Sequence, residues 1–333
     1  MYSAKTVLHK GLECIELKCD SYTAIVAHTL GGNVLRLRQT QKNVEVFRYR
    51  EDKSIEEVAD SIEIYGLPTM YFPNRLDNGV LKASDYTYNL PVNEKAPFNN
   101  TLHGFLHRRP YKIDSLEENG CAKCVISYLY DENDEYFQYL PIKFKAVLEL
   151  SLDDNGLLHK FTLCNLSDRQ MPISVATHTT INAPFVDGAK QEDIRVKAPI
   201  GKKCELNARC LPTENYLDLT DYDKEYINGD KKTVLCVVDN EMYFAQSMEL
   251  DGREFHGITA TDIASGIRID YEISDEYGFW IFWNQQGFEG YFCPEPMSAM
   301  INSPNLENSK EISGYREIAP NAEFSCWQKF SVK

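Results

Sequence analysis

The chain has 333 residues, 43% of them apolar, and a formal net charge of −15. That length buries a full core without staples and fits one large β domain. Such acidity excludes nucleic acid or an anionic membrane as partner, because both are held by basic clusters, and positive charge is grouped at Arg36 and Arg38 and at Arg108-Arg109.

The N-terminal Met1-Tyr2-Ser3-Ala4-Lys5 lacks the basic and apolar regions of a signal peptide. No apolar run reaches the length of a membrane span. The ten cysteines are therefore expected to be reduced, mainly buried thiols of a cytoplasmic protein. The first forty residues read as strands: Ile15, Leu17 and Cys19 alternate with Glu16 and Lys18, and Gly31-Gly32 marks a turn. Ser54-Ile55-Glu56-Glu57 is a capping-box pattern that predicts a short helix, ending before Gly66-Leu67-Pro68.

Strand signals dominate from Cys121 onwards. Cys124, Ile126, Tyr128 and Tyr130 share one face, and Ile142, Phe144, Ala146, Leu148 and Leu150 alternate with charged residues. Asp153-Asp154-Asn155-Gly156 predicts a hairpin turn, as does Asp262-Ile263-Ala264-Ser265-Gly266. Residues 202–232, rich in Asn, Asp and Lys, read as long loops. Gly278-Phe279-Trp280-Ile281-Phe282-Trp283-Asn284 is strongly β-prone, and 325–332 closes the chain as a strand. Short strands at regular spacing with one or two short helices predict an all-β fold, a large antiparallel β-sandwich in a single domain over 1–333.

Four stretches carry chemistry. In Pro73-Asn74-Arg75-Leu76-Asp77, a guanidinium suited to hydroxyls sits after a proline-fixed turn, with Asp77 as its available ion-pair partner. In Leu102-His103-Gly104-Phe105-Leu106-His107, the two histidines stand four apart, a zinc spacing on a helix. Gly104 and Pro110 argue against a helix there, so no metal is expected. His103, beside a glycine, remains an acid/base or hydrogen-bonding group, and His107 a substrate-binding one. His178 follows the strand-like Ile173 to Ala176. Finally, Cys293-Pro294-Glu295-Pro296 places a carboxylate between two prolines, which fix the backbone and restrain movement just past a strand end. A rigid carboxylate and a histidine on one sheet make an acid/base pair.

Other motifs are absent or unpaired. Cys121-Ala122-Lys123-Cys124 has no second CxxC to complete a zinc site, and on a strand its two sulfurs point to opposite faces. No dinucleotide, P-loop or GxSxG signature occurs.

At these residues the chain resembles the aldose 1-epimerase (galactose mutarotase-like) family. Asn74-Arg75 matches its NR motif, Leu102-His103-Gly104 its LHG motif, His178 its HxYFN histidine, and Cys293-Pro294-Glu295-Pro296 its late EP carboxylate, in the same order. Asn302 and Asn305 resemble the family's tail. The resemblance implies a mutarotase-type supersandwich with a sugar cleft, Glu295 as general base, His178 as general acid and His103 supporting the ring oxygen. It further implies that Arg75, Asn74 and Asp239 bind the sugar. No cofactor is implied, because ring opening and closure need only two proton transfers. The chain departs from the family after His178, where Thr179-Thr180-Ile181-Asn182 replaces Tyr-Phe-Asn, at Phe105 after LHG, and at Met297-Ser298 after EP. These departures adjoin the expected pocket. The readings that remain beside a hexose mutarotase are a non-catalytic sugar-binding protein and a hexose-6-phosphate mutarotase, with Arg75, Arg108 or Arg109 on the phosphate. A glycoside hydrolase would need a second catalytic carboxylate near Glu295, for which Asp239 is the one candidate the sequence offers.

Overall fold

The computed structural model describes residues 1–307 and 309–333. Its body is two large antiparallel sheets, of nine and eight strands, packed face to face, with a five-stranded sheet at the N-terminus. The alternation noted from Phe144 produces the strand Phe144–Asp153, whose even-numbered residues are buried in turn. It pairs with Gly156–Asn165 through the expected hairpin, Asp153 opposite Gly156. Arg253–Asp262 and Arg268–Ile273 form the second predicted hairpin. Glu323–Val332 lies between Gly156–Asn165 and Arg268–Ile273, so the chain's last strand is internal to the nine-stranded sheet.

The core between the sheets is aromatic. Phe47 meets the edge of Phe330 at 4.9 Å, Tyr271 stacks on Phe330 at 4.2 Å, and Tyr271 meets Trp280 of the opposing sheet at 5.7 Å. One buried apolar cluster draws on residues from Ala4 to Val332. Burial of this kind supplies the main stabilising term, roughly 25 cal/mol per Å² removed from water.

Ser54 caps the helix Ile55–Asp60 through a complete capping box with Glu57, as its sequence predicts. Residues 202–232 depart from expectation. They are not loops but contain the strand end of Ile200–Leu206, the strand Pro212–Leu217 and the helix Asp221–Asn228. Thr220 and Asp223 make a second capping box there, and Gly229 ends the helix in the left-handed region. Polar composition concealed it because the helix buries only Asp223 and Tyr226. With Lys310–Ser313, the described residues hold three short helices rather than one or two.

The Glu295 stretch also differs. It does not follow a strand but is one, Tyr291–Met297, buried throughout its length. On one side its residues 293–297 pair with Phe279–Trp283. On the other it meets Ile181–Asn182 at Phe292 and Ala176–Thr177 at Met297, leaving residues 293–296 unpaired between them. Ser298 N–H donates to Val175 on this second side. By the alternation of a strand, positions 294 and 296 face the same way. Pro294 and Pro296 therefore lack an N–H only where the neighbouring strand has peeled off. Their fixed φ keeps Glu295 extended across the gap.

All ten cysteines are free thiols, with Cys124 buried and Cys121 half-buried. Among the described residues no helix is long and apolar enough to cross a membrane, and no three His, Cys, Asp or Glu side chains group as a metal site would need.

Candidate active site

The peeled segment, residues 178–180, faces the gap beside Glu295. His178 N–H donates to Pro68 at 3.0 Å and Thr180 N–H to Gly66 at 3.0 Å, so the segment parts from Tyr291–Met297 while it continues the ladder that Ala176–Thr177 makes with Thr69–Met70. His178 points into a cleft of about 510 Å³, within the roughly 300–1,000 Å³ range of small-ligand sites. Its Nε2 lies 3.3 Å from Glu295 Oε1, with both side chains almost fully buried. Burial pushes the Glu295 carboxyl well above the usual carboxylate range, only partly offset by the Arg75 charge. Burial also lowers His178, to about 4. Both shifts have one cause, the cost of holding charge away from water.

His103 meets His178 edge to face, with ring centroids 5.2 Å apart. It ends the strand Asn100–Leu102 in a left-handed conformation, φ 60°, followed by Gly104, also φ 60°. A Cβ on Gly104 would sit 2.1 Å from Tyr71 O, so only glycine lets these backbones touch. Asn74 N–H donates to His103 Nδ1 at 3.3 Å. That bond leaves the neutral ring's proton on Nε2. Burial, and then the neighbouring His178 and His107, hold His103 well below the usual imidazole range.

Arg75 also lines the cleft, but its ion pair is not with Asp77. Nε and Nη2 form a forked pair with Glu94, at 2.9–3.1 Å, and Asp77 pairs with Arg209 at 2.7 Å. Arg75 Nη1 reaches Asn240 Oδ1 at 3.4 Å. Asn240 lines the cleft; Asp239, the residue the sequence pointed to, is exposed and not among the lining residues. His107 does line it, with Nε2 2.9 Å from Glu63 Oε1, an oxygen it shares with Arg108. Arg109 turns away into a forked pair with Asp134. Glu63, Glu94, Asn93, Asn240 and Trp283 had no motif to mark them; only Trp283 carried a signal, as the last aromatic of a β-prone run. Asn302 and Asn305 brace the strand Arg75–Asp77 and the segment after it, through Asp77 N–H and Val80 O, and do not reach the cleft.

The departures from the family pattern face inward. Thr179 and Thr180 are fully buried, Phe105 packs between Tyr130 and Tyr136, Met297 is fully buried, and Ser298 Oγ accepts from Val175 N–H. None of them lines the cleft.

The aldose 1-epimerase family matches residues 13–331, nearly the whole chain. This chain belongs to the aldose 1-epimerase family. Among solved structures, a galactose mutarotase-like protein from Clostridium acetobutylicum is similar at 30% identity, with a TM-score of 0.96, over 100% of this chain and 98% of that one. A galactose 1-epimerase from Lactobacillus acidophilus shares the fold at 13% identity and a TM-score of 0.73, over 100% and 99% of the two chains. A putative aldose 1-epimerase from Escherichia coli does so at 12% identity and 0.72, over the same shares. The cleft thus sits within an aldose 1-epimerase fold, with the Glu295–His178 contact at its floor.

Proposed function

We propose that the protein is a cofactor-independent isomerase, an aldose 1-epimerase that interconverts the α and β anomers of an uncharged hexose. The observation that carries this reading is the 3.3 Å contact between Glu295 and His178 at the floor of the cleft. Anomer exchange removes a proton from O1 and delivers one to the ring oxygen. Those two oxygens share a carbon, so two groups in contact with each other reach both at once. The pair's single proton rests on Glu295, which burial raises, and crosses the 3.3 Å contact to His178 before reaction. Glu295 then takes the O1 proton while His178 protonates the ring oxygen, and C1 opens to an aldehyde, rotates and closes on its other face. Reverse transfers restore both groups, and each positioned acid or base contributes ~10²–10⁴-fold.

His103 acts beside this pair without exchanging protons. Its Nδ1 is engaged by Asn74 and its ring is kept neutral, so it offers Nε2–H as a fixed donor to the ring oxygen. Arg75, steadied by Glu94, with Asn74, Asn240 and His107, binds hydroxyls, and Trp283 supplies an apolar ring face. Charge supports an uncharged substrate over a sugar phosphate. Both guanidiniums lining the cleft are already paired, Arg75 with Glu94 and Arg108 with Glu63, and a phosphate would have to break such a pair.

The test is the relaxation of freshly dissolved α-glucose and α-galactose, followed by polarimetry or saturation-transfer NMR. Wild type is expected to accelerate it and Glu295→Gln to lose ~10²–10⁴ of that rate. A wild type that leaves both sugars, and their 6-phosphates, at the rate of water would overturn the reading in favour of a sugar-binding protein.

A further inference from the structure

Behind His178 the sandwich core is polar. By strand alternation, Thr177 and Thr179 point the opposite way to His178, into the space between the sheets. Thr177 Oγ1 donates to Gln328 Oε1 at 2.9 Å, and Tyr271 O–H donates to the same oxygen. With both of those protons committed, Thr179 is left to donate to the Tyr271 oxygen, 2.8 Å away, and it also lies 3.1 Å from Thr177 Oγ1. Gln328 Nε2 reaches His159 Nδ1 at 3.2 Å, which leaves the His159 proton on Nε2, facing Thr69 Oγ1 at 3.5 Å. All six side chains are buried to within 1% of full.

The topology makes this a bridge. His159, Gln328 and Tyr271 stand on three neighbouring strands of the nine-stranded sheet, Gly156–Asn165, Glu323–Val332 and Arg268–Ile273. Thr69 and Thr177 belong to the eight-stranded sheet. Apolar side chains of equal size would fill the same space without desolvating six polar groups, each of which costs free energy unless fully bonded. Stability alone does not account for the choice. Placement does, because the network grips the residues on both sides of His178 where that segment has parted from Tyr291–Met297.

We propose that the Thr177–Thr179–Tyr271–Gln328–His159 network is a positioning device for His178, fixing the rotation of residues 177–179 so that Nε2 stays on Glu295. It rests on the acid/base reading above for its effect on rate, but not for its effect on the imidazole. The two threonines act as opposed anchors: if either hydroxyl lets go, the segment turns about its axis and carries the ring on its other face away from Glu295. Misplacement on the order of 1 Å costs up to ~10²-fold in rate.

The test uses Thr179→Val and Tyr271→Phe, which remove hydroxyls at nearly constant volume. Ile126→Val, a core change in the nine-stranded sheet two strands away from His159, is the control for general loosening. Both network variants are expected to lower kcat by about 10–100-fold with KM within about twofold, while Ile126→Val leaves kcat unchanged. Independently of turnover, NMR titration of the histidine rings is expected to show a displaced His178 midpoint and an unmoved His107 midpoint. The titratable and charged groups facing His178 are Glu295, His103, His107, Glu63 and Arg75, and neither substitution alters any of them. An unmoved His178 midpoint, or an unchanged kcat in an active background, overturns the proposal. If wild type proves inactive on every sugar, the function reading falls and the titration alone decides the positioning claim.

Discussion

At Glu295 and His178, burial works on both partners at once, raising one and lowering the other, so that between the two values the pair holds a single proton. The apparent values belong to the pair. Below about pH 4 a second proton arrives, both partners carry one, and neither can take the proton of O1. When the last proton leaves, at a pH above the ordinary carboxylate range because Glu295 is raised, nothing remains to protonate the ring oxygen. The expected profile of kcat/KM is therefore a plateau between an acid limb near pH 4, set by His178, and a second limb, above the ordinary carboxylate range, set by Glu295. A rate profile taken from about pH 3 to pH 10 checks it. An acid limb centred near 6.5, the value of a free imidazole, would sink the assignment of His178.

Among the elements, the strand Tyr291–Met297 and the turn at His103-Gly104 do the placing. The prolines of the strand were legible in the sequence as rigidity; that they lie inside a sheet was not, because a proline normally argues against a central strand. Only the departure of residues 178–180 from the ladder removes the objection. At the turn, Gly104 is required by the approach of Tyr71 O and by φ 60°. Gly104→Ala is expected to cost on the order of 1–3 kcal/mol of strain, with more for the clash, and to lower activity by displacing His103. Thermal unfolding and the anomer-exchange assay measure the two effects; a variant as stable and as active as wild type would refute the argument. The helix Asp221–Asn228 was hidden for a different reason: its face toward the protein is made by Asp223 and Tyr226, so no apolar stripe announces it.

For the molecule as a whole, buried titratable groups set an acid limit on stability. His159, enclosed between the sheets, is lowered from 6.5 to about 4 by burial. Its folded-state value lies below its unfolded one, so the unfolded chain takes up the proton first and stability is lost as pH falls from 6.5 towards 4. At 1.36 kcal/mol per unit that loss is on the order of 3 kcal/mol. Asp223 acts lower down. Although burial raises it, hydrogen bonds from Tyr243, Thr220 and Lys203 win and hold it at about 2. The stability it contributes is present above its unfolded value of 3.8 and disappears as pH falls from there towards 2. Glu45, which burial raises to about 7, works the other way and loses stability as pH rises from 4.5 towards 7. The His159 part is therefore read by comparison: the thermal midpoint of wild type is expected to lose more than that of His159→Gln between pH 6.5 and pH 4, and an equal change in both would contradict the account of His159.

Period-two alternation, hairpin turns and the order of four short motifs determined, without any coordinates, an antiparallel β fold of the aldose 1-epimerase kind and named Glu295, His178, His103 and Arg75. Those signals are local, and local patterns survive in a linear reading. The partners of those residues do not. Glu94 holds Arg75 from 19 positions away, Glu63 holds His107 from 44, and Gln328 meets Thr177 from 151; no spacing rule links such pairs. Asp239 and Asn240 differ by one position, and only the path of the chain decides which of the two reaches the cleft. The direction in which Thr179 and Thr180 point was likewise a tertiary matter. A single residue's step turns a side chain from the cleft to the core, and that step is set by the register in which residues 176–180 run beside Thr69–Met70 and on to Pro68 and Gly66.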